Sequence, residues 1–366
     1  MPYLIDAHED LAYNALTFGR DYRRPVAETR QLETDSMVEQ VTGKSLLGWQ
    51  EYQLGQVALV IGTIFIVPDR YKDGAYENQN FRDSQQAYRL TRLQVDYYQR
   101  LCDESPHQFQ LICTRADLKR VLQPWEKNPA DAPAVTHPVG IILSMEGAEG
   151  LSRPEELEEW QQAGLRLVGP VWAGTRYCGG TFEGDKFTRE GMQLLETMSE
   201  LGYTLDIAHM TEQAALQALD IFPGVIIASH CNASALLHDD RSKRRLISDR
   251  VLRRLSERDG VVGVVPYNRF LLPEWTPADP REDVPLSLLI DHIDHICQVT
   301  GSSQHVAVGT DFDGGFGWPA VPNEINSIAD IQMLSPLLEQ HGFSLTDIKA
   351  VFNSNWYRIL EKTLPE

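Results

Sequence analysis

The stretch Val306-Ala307-Val308-Gly309-Thr310-Asp311-Phe312-Asp313-Gly314 begins with four small or β-branched residues ending in a glycine, then carries two aspartates one residue apart. The first part suits a buried strand, whereas the aspartates are poor strand formers and good ligands. This predicts a strand that delivers carboxylates to a rim. One carboxylate alone neither holds a metal nor moves a proton productively, so partners are expected at the ends of other apolar runs.

Such runs recur at Tyr3–Ala7, Val57–Val67, Val139–Met145, Leu165–Val171, Tyr203–Ala208, Val225–Ser229, Val261–Val265 and His305–Gly309. Helical spacing follows at Asp83–Leu101, Gly191–Leu201 and Leu286–Val299. The alternation predicts parallel strands joined by helical crossovers, and eight units predict an α/β fold of the (β/α)8 TIM-type barrel class with loop insertions. A single domain over residues 1–366 is expected. An insertion is placed at about residues 68–138 between strands two and three, with the proline-rich Leu122–Pro138 as its excursion. A closing helix is placed at about residues 344–362, capped by Ser344 or Thr346.

Composition narrows the function. With 42% hydrophobic and 23% charged residues the chain is globular, and no window approaches the roughly 18 apolar residues of a membrane helix. A formal charge of −19 repels phosphate backbones and anionic lipid, which argues against nucleic acid and membrane partners. The five cysteines form no C-x-x-C, so reduced thiols are expected. The N-terminus lacks a basic segment and a sustained apolar core, which predicts a cytoplasmic protein.

In a (β/α)8 barrel the chemistry sits at the carboxyl ends of the strands. There the sequence places His8-Glu9-Asp10 after strand one, Glu146 after strand three, His209 after strand five, His230 after strand six and Asp311 after strand eight. A lone histidine at a strand end is usually structural, but three with three acids at matching positions, in a chain with 10 histidines, predict a two-metal site. His8 and Asp10, two apart in extended chain, point the same way. Other signals are weaker. Thr42-Gly43-Lys44-Ser45 mimics a phosphate loop, but Val38 holds the place of its first glycine. His292 and His295 read as a solvated helix face, Asn232-Ala233-Ser234 as a sequon without meaning unless secreted, and Arg241–Arg245 as either a solvated run or a grip for a substrate carboxylate.

The ordered set His8-Glu9-Asp10, Ser144-Met145-Glu146-Gly147, Asp206-Ile207-Ala208-His209, Ala228-Ser229-His230 and Gly309–Gly314 resembles the membrane (renal) dipeptidase family of zinc metallopeptidases, among the amidohydrolase-type barrels. Asp291–Ile296 and Asn353–Trp356 also look like family segments. The resemblance implies that His8 and Asp10 bind one metal, His209 and His230 a second, and that Glu146 bridges them. It implies hydrolysis of small dipeptides by a hydroxide held between two divalent ions about 3.5–4 Å apart, with Asp311 managing its proton. Arg245 matches the family arginine that grips the substrate carboxylate, and Tyr267 falls near it.

One position departs from the family. Where the family carries a histidine that steadies the oxyanion, this chain has Trp172, with Arg176 and Tyr177 as substitutes nearby. An indole donates one hydrogen bond without charge, and losing an oxyanion donor costs about 3 kcal/mol. The alternatives implied are hydrolysis of other small amides, lactones or esters, or a silent metal-binding barrel. Two divalent ions are expected, Zn2+ first, with manganese, iron, cobalt and nickel accepted by the same ligands. The expected partners are a dipeptide or other small-molecule substrate and a second copy in a homodimer.

Overall fold

The computed structural model describes residues 2–127, 136–237 and 244–366. Part of Leu122–Pro138 (residues 128–135) and part of Arg241–Arg245 (residues 241–243) therefore lie outside the described residues. Eight parallel strands carry the fold: β1 (Leu4–Glu9), β2 (Val57–Phe65), β3 (Val139–Glu146), β4 (Leu165–Gly169), β5 (Thr204–Asp206), β6 (Ile226–Ile227), β7 (Val262–Val264) and β8 (Val306–Val308). β1 to β6 pair in sequence order as one curled sheet, and β7 pairs with β8. Each of β1, β2 and β3 is buried along its whole length, as expected of parallel strands covered on both faces.

The two sheets meet through isolated bridges. Ala228 bridges Val262 beyond β6, and Glu9 bridges Phe312 where β1 faces the end of β8. At the first of these the Ala228 amide donates to the Val261 carbonyl at 2.9 Å and the Gly263 amide to Ala228 at 2.8 Å. Close approach here demands glycine. A Cβ on Gly263 or Gly309 would stand 1.9 or 2.0 Å from the Ser229 carbonyl oxygen.

The expected helices form as Ser84–Glu104, Arg189–Glu200 and Ser287–Thr300. Asp83 caps the first by accepting from the Gln86 amide and Thr188 the second by accepting from Gly191, while Gly301 ends the third in the left-handed region. An additional short strand, Phe109–Leu111, pairs with the start of β3, alongside residues that β4 does not reach. Leu122 to Lys127 continue the helix Arg115–Lys127 instead of looping out, despite Pro124. No helix among the described residues is long and apolar enough to cross a membrane.

The C-terminal helix starts at Ser344, whose hydroxyl and Asp347 form a reciprocal capping box. It is interrupted by a π turn at Ala350–Ser354 before Asn355–Thr363. Around that turn the Asn353 amide donates to the Tyr3 carbonyl at 2.7 Å, Asn355 to Val306 at 2.8 Å and the Trp356 indole to Val308 at 2.8 Å. These side chains tie β1 and β8 to one another.

Gly309→Ala is expected to lower stability by about 1–3 kcal/mol or more, because the obstacle to the new methyl is backbone. Chemical denaturation checks this, and an unchanged midpoint would contradict the packing described.

Candidate active site

The strand ends bring His8, Asp10, Glu146, His209, His230 and Asp311 to one point. Glu146 Oε1 lies 2.8 Å from His209 Nε2 and 3.4 Å from His230 Nε2, and its Oε2 lies 3.7 Å from His8 Nε2. His8 Nε2 is also 3.9 Å from Asp10 and 3.8 Å from Asp311. His8, Asp10 and Glu146 form one group of convergent donors, Glu146, His209 and His230 a second, and His8, His230 and Asp311 a third that spans them. Glu146 belongs to the first two.

Hydroxyl groups behind the histidines set their orientation. Thr63 Oγ1 lies 3.3 Å from His8 Nδ1, Thr181 Oγ1 2.9 Å from His209 Nδ1, and Ser229 Oγ 2.8 Å from His230 Nδ1. A neutral imidazole with its proton on Nδ1, given to such a hydroxyl, keeps Nε2 as a free lone pair aimed at the centre. Ser229 in turn donates to Asp206, which also accepts from the Ser229 and Ala208 amides at 2.9 and 3.0 Å. Asp6 does the same between β1 and the end of β8, accepting from the Thr310 amide at 2.7 Å and its hydroxyl at 2.5 Å. His209 and Asp311 sit at φ 65° and 57°, a left-handed conformation costing a non-glycine residue about 1–2 kcal/mol. Of these supporting residues, Asp6, Asp206 and Ser229 flank the motifs in sequence, whereas Thr63 and Thr181 carry no local signal.

The electrostatics call for a cation. Burial pushes the His230 imidazole down to about 3 and that of His209 to about 4, with Arg245 adding to both, and His8 is held well below its ordinary value by burial and by His230. All three are neutral ligands at pH 7. Burial raises the Asp10 carboxyl well above the usual range, Glu146 and Asp311 adding to the rise, and raises Asp311 likewise although Arg245 opposes it. Burial also works against the Glu146 charge, which only a cation beside it, a protonated His209 or His8 or a metal, offsets. His8 Nε2, Asp10 Oδ1 and Glu146 Oε1 are buried without a hydrogen-bond partner. Such orphaned lone pairs are costly unless a metal accepts them, so the donor set fits divalent ions.

The cluster opens into a cavity of about 330 Å³ bordered by Trp172, Arg245 and Tyr267. Arg245 donates from both terminal nitrogens to the His230 carbonyl at 3.2 Å, and its guanidinium lies 5.2 Å from the Phe270 ring centroid. Tyr267 stacks on Phe316 with centroids 4.3 Å apart. Trp172 packs edge-on to Phe65 at 5.1 Å and stands 6.3 Å from the His209 ring.

Several expectations are corrected. Arg176 and Tyr177 do not reach the cavity: Arg176 donates to the Leu151 and Ser152 carbonyls, and Tyr177 to Leu151 at 2.9 Å. Asp313 turns away from the rim at φ 62° and forms a buried pair with Arg20 at 3.2 Å, accepting also from the Leu46 amide at 2.8 Å. His292 is buried, not solvated, and donates to the Phe270 carbonyl, while His295 meets Asp249 at 2.8 Å. These two residues thus brace both segments that flank Arg245. Lys44 lies over the Trp318 ring at 5.0 Å, a packing role with no phosphate loop.

A curled parallel sheet whose strand ends converge imidazoles and carboxylates forms a candidate metal centre at the place where such folds carry their chemistry. The profile of the family described as Membrane dipeptidase (Peptidase family M19) matches residues 2–364, and the chain belongs to this family. It is 30% identical over 235 residues to an uncharacterized protein in the pqqA 5' region of Klebsiella pneumoniae, covering 61% of this chain and 82% of that protein. It is 26% identical to the uncharacterized dipeptidase C965.12 of Schizosaccharomyces pombe, covering 84% of this chain and 70% of that protein. The fold is similar to a metallopeptidase of Rhodobacter sphaeroides, with a TM-score of 0.79, 21% identity and 99% of each chain covered.

Adding a divalent ion to metal-free protein is expected to release protons, because burial raises the proton affinity of Asp10 and Asp311 when no cation is near. As pH falls, protons compete for these carboxylates and then for the histidines, and affinity drops. Calorimetric titration in buffers of different ionisation enthalpy reads the release, and a buffer-independent heat would refute it.

Proposed function

We propose that this protein is a binuclear zinc dipeptidase that hydrolyses the amide bond of small dipeptides. The observation that carries the reading is the grouping of His8 with Asp10 and of His209 with His230 about a shared Glu146, beside a guanidinium in one cavity. His8 and Asp10 hold one ion, His209 and His230 the other, and Glu146 both. When bound, such ions polarise a carbonyl oxygen and bring water ionisation near neutral pH. Asp311, facing the same point, takes the proton of the attacking water and passes it to the departing amine. Arg245, set over the Phe270 ring, keeps N–H groups for the substrate carboxylate, with Tyr267 lining the same cavity.

Three further points belong to this reading. The bridges from Ala228 to Val262 and from Glu9 to Phe312 support a sheet that closes as a (β/α)8 barrel. The free thiols of all five cysteines support a reducing, cytoplasmic location. The ester, lactone and silent-barrel alternatives draw no support beyond Trp172, and family membership favours peptide hydrolysis.

Zinc-loaded protein should release amino acids from L-Ala-L-Ala or L-Ala-D-Ala; the Rhodobacter protein was captured with a phosphinate mimic of the latter. Asp311→Asn should lower kcat by about 10²–10⁴-fold with metal content retained. Arg245→Met should raise KM by about 10–100-fold with kcat much less affected. Turnover that persists in Asp311→Asn would refute its proton role, and inactivity of the loaded protein on every dipeptide would refute the reading.

A further inference from the structure

Besides Arg245 and the metal cluster, the cavity has a wall that the hydrolytic chemistry leaves unused. It is made by Tyr13 and Phe65 together with Tyr71 and Trp172, which form a small apolar cluster separate from the main core. Tyr13 and Phe65 lie 5.5 Å apart, and Trp172 stands edge-on to Tyr71 at 6.0 Å. Two carboxylates, Asp73 and Glu77, line the same cavity. Glu77 is only 5% exposed and receives the Tyr13 hydroxyl, while Asp73 accepts from Tyr76 at 2.5 Å. Neither has an ion-pair partner among the described residues, and Lys72 on the outer surface is the cation whose field reaches Glu77.

Aromatic faces around unpaired carboxylates form a recognisable receptor. Ring quadrupoles attract cations at about 0.5–2 kcal/mol per contact, and a charge-assisted hydrogen bond adds direction. A buried carboxylate without a counter-ion is otherwise a cost. Arg245 is anchored on the His230 carbonyl whereas Trp172 stands 6.3 Å from the His209 ring, so the guanidinium and this wall adjoin different members of the metal cluster. With the terminal carboxylate on Arg245 and the scissile bond at the cluster, the wall meets the amino-terminal residue. We infer that this wall is a subsite for a cationic side chain, of the lysine or arginine class, on the amino-terminal residue of the dipeptide. The inference rests on the dipeptidase reading, and it gives Trp172 a place as part of the wall.

The test uses metal-loaded protein and two products that are not consumed. L-Lysine and L-norleucine share α-groups and chain length and differ in the terminal ammonium. By calorimetry at low salt, lysine is expected to bind about tenfold more tightly. In Glu77→Gln the ratio should fall to near one with norleucine affinity unchanged, which also shows that the pocket is intact. If Glu77→Gln loses both ligands, Asp73→Asn, on an exposed loop, decides by the same ratio. Norleucine binding as tightly as lysine in the unaltered protein, or a lysine preference that survives both substitutions, would overturn the inference. Hydrolysis of Lys-Ala and Ala-Ala is followed in parallel. Lysine preference without hydrolysis of either fails the dipeptidase reading alone, and hydrolysis of Ala-Ala without lysine preference fails the subsite alone.

Discussion

The structure depends on an approach that would be unfavourable by itself. Two neutral imidazole nitrogens, His209 Nε2 and His230 Nε2, stand 3.0 Å apart, with a Glu146 oxygen 2.8 and 3.4 Å from them, inside a buried site. Lone pairs and carboxylate charges at this distance repel unless protons or cations separate them. Burial disfavours protonated histidine, which leaves metal as the remedy the donor set suits. Everything behind the ligands resists their moving apart. Thr63, Thr181 and Ser229 fix the rings, and Asp6 and Asp206 latch the strands that carry them. The strain of His209 and Asp311 in left-handed backbone belongs to the same arrangement, in which the packed strands hold what the local chain would relax.

Much of this was legible because strand ends carry chemistry in this architecture. Eight β-rich runs between helical segments identified the strands, and the polar residues after five of those runs identified the donors. What escaped reading had a long-range cause. Asp311 and Asp313 look alike in sequence, yet two left-handed residues separate their directions, and only the distant Arg20 explains where Asp313 goes. His292 looked solvated because its helix is polar at neighbouring positions, yet it is buried and bonded to the distant Phe270 backbone. The strand Phe109–Leu111 is three residues long and exists because β4 starts short of the foot of β3. Thr63 and Thr181 lie 55 and 28 residues from the histidines they orient, beyond any local pattern.

The substitution that looked like a loss in the sequence has a different aspect in space. Trp172 removes a charged donor, but its ring joins Phe65, Tyr71 and Phe182 in one packed aromatic surface beside the ligands. A large rigid side chain at that point trades electrostatic reach for shape. The cavity thus joins two chemically unlike linings, one a guanidinium and the other carboxylates and aromatic faces.

The contacts of Asn353, Asn355 and Trp356 with the carbonyls of Tyr3, Val306 and Val308 bear on how the chain is made. Synthesis delivers His8 and Asp10 first and the residues that lock their strand some 350 positions later, by their numbering. At translation rates of about 5–20 residues per second, the first strand waits on the order of tens of seconds for its last neighbours. Through that interval β1 is a strand with an unsatisfied edge, so the nascent chain is exposed to mispairing at the segment that later carries its first metal ligands. The first metal ligands thus depend for their setting on Asn353, Asn355 and Trp356, side chains made long after them.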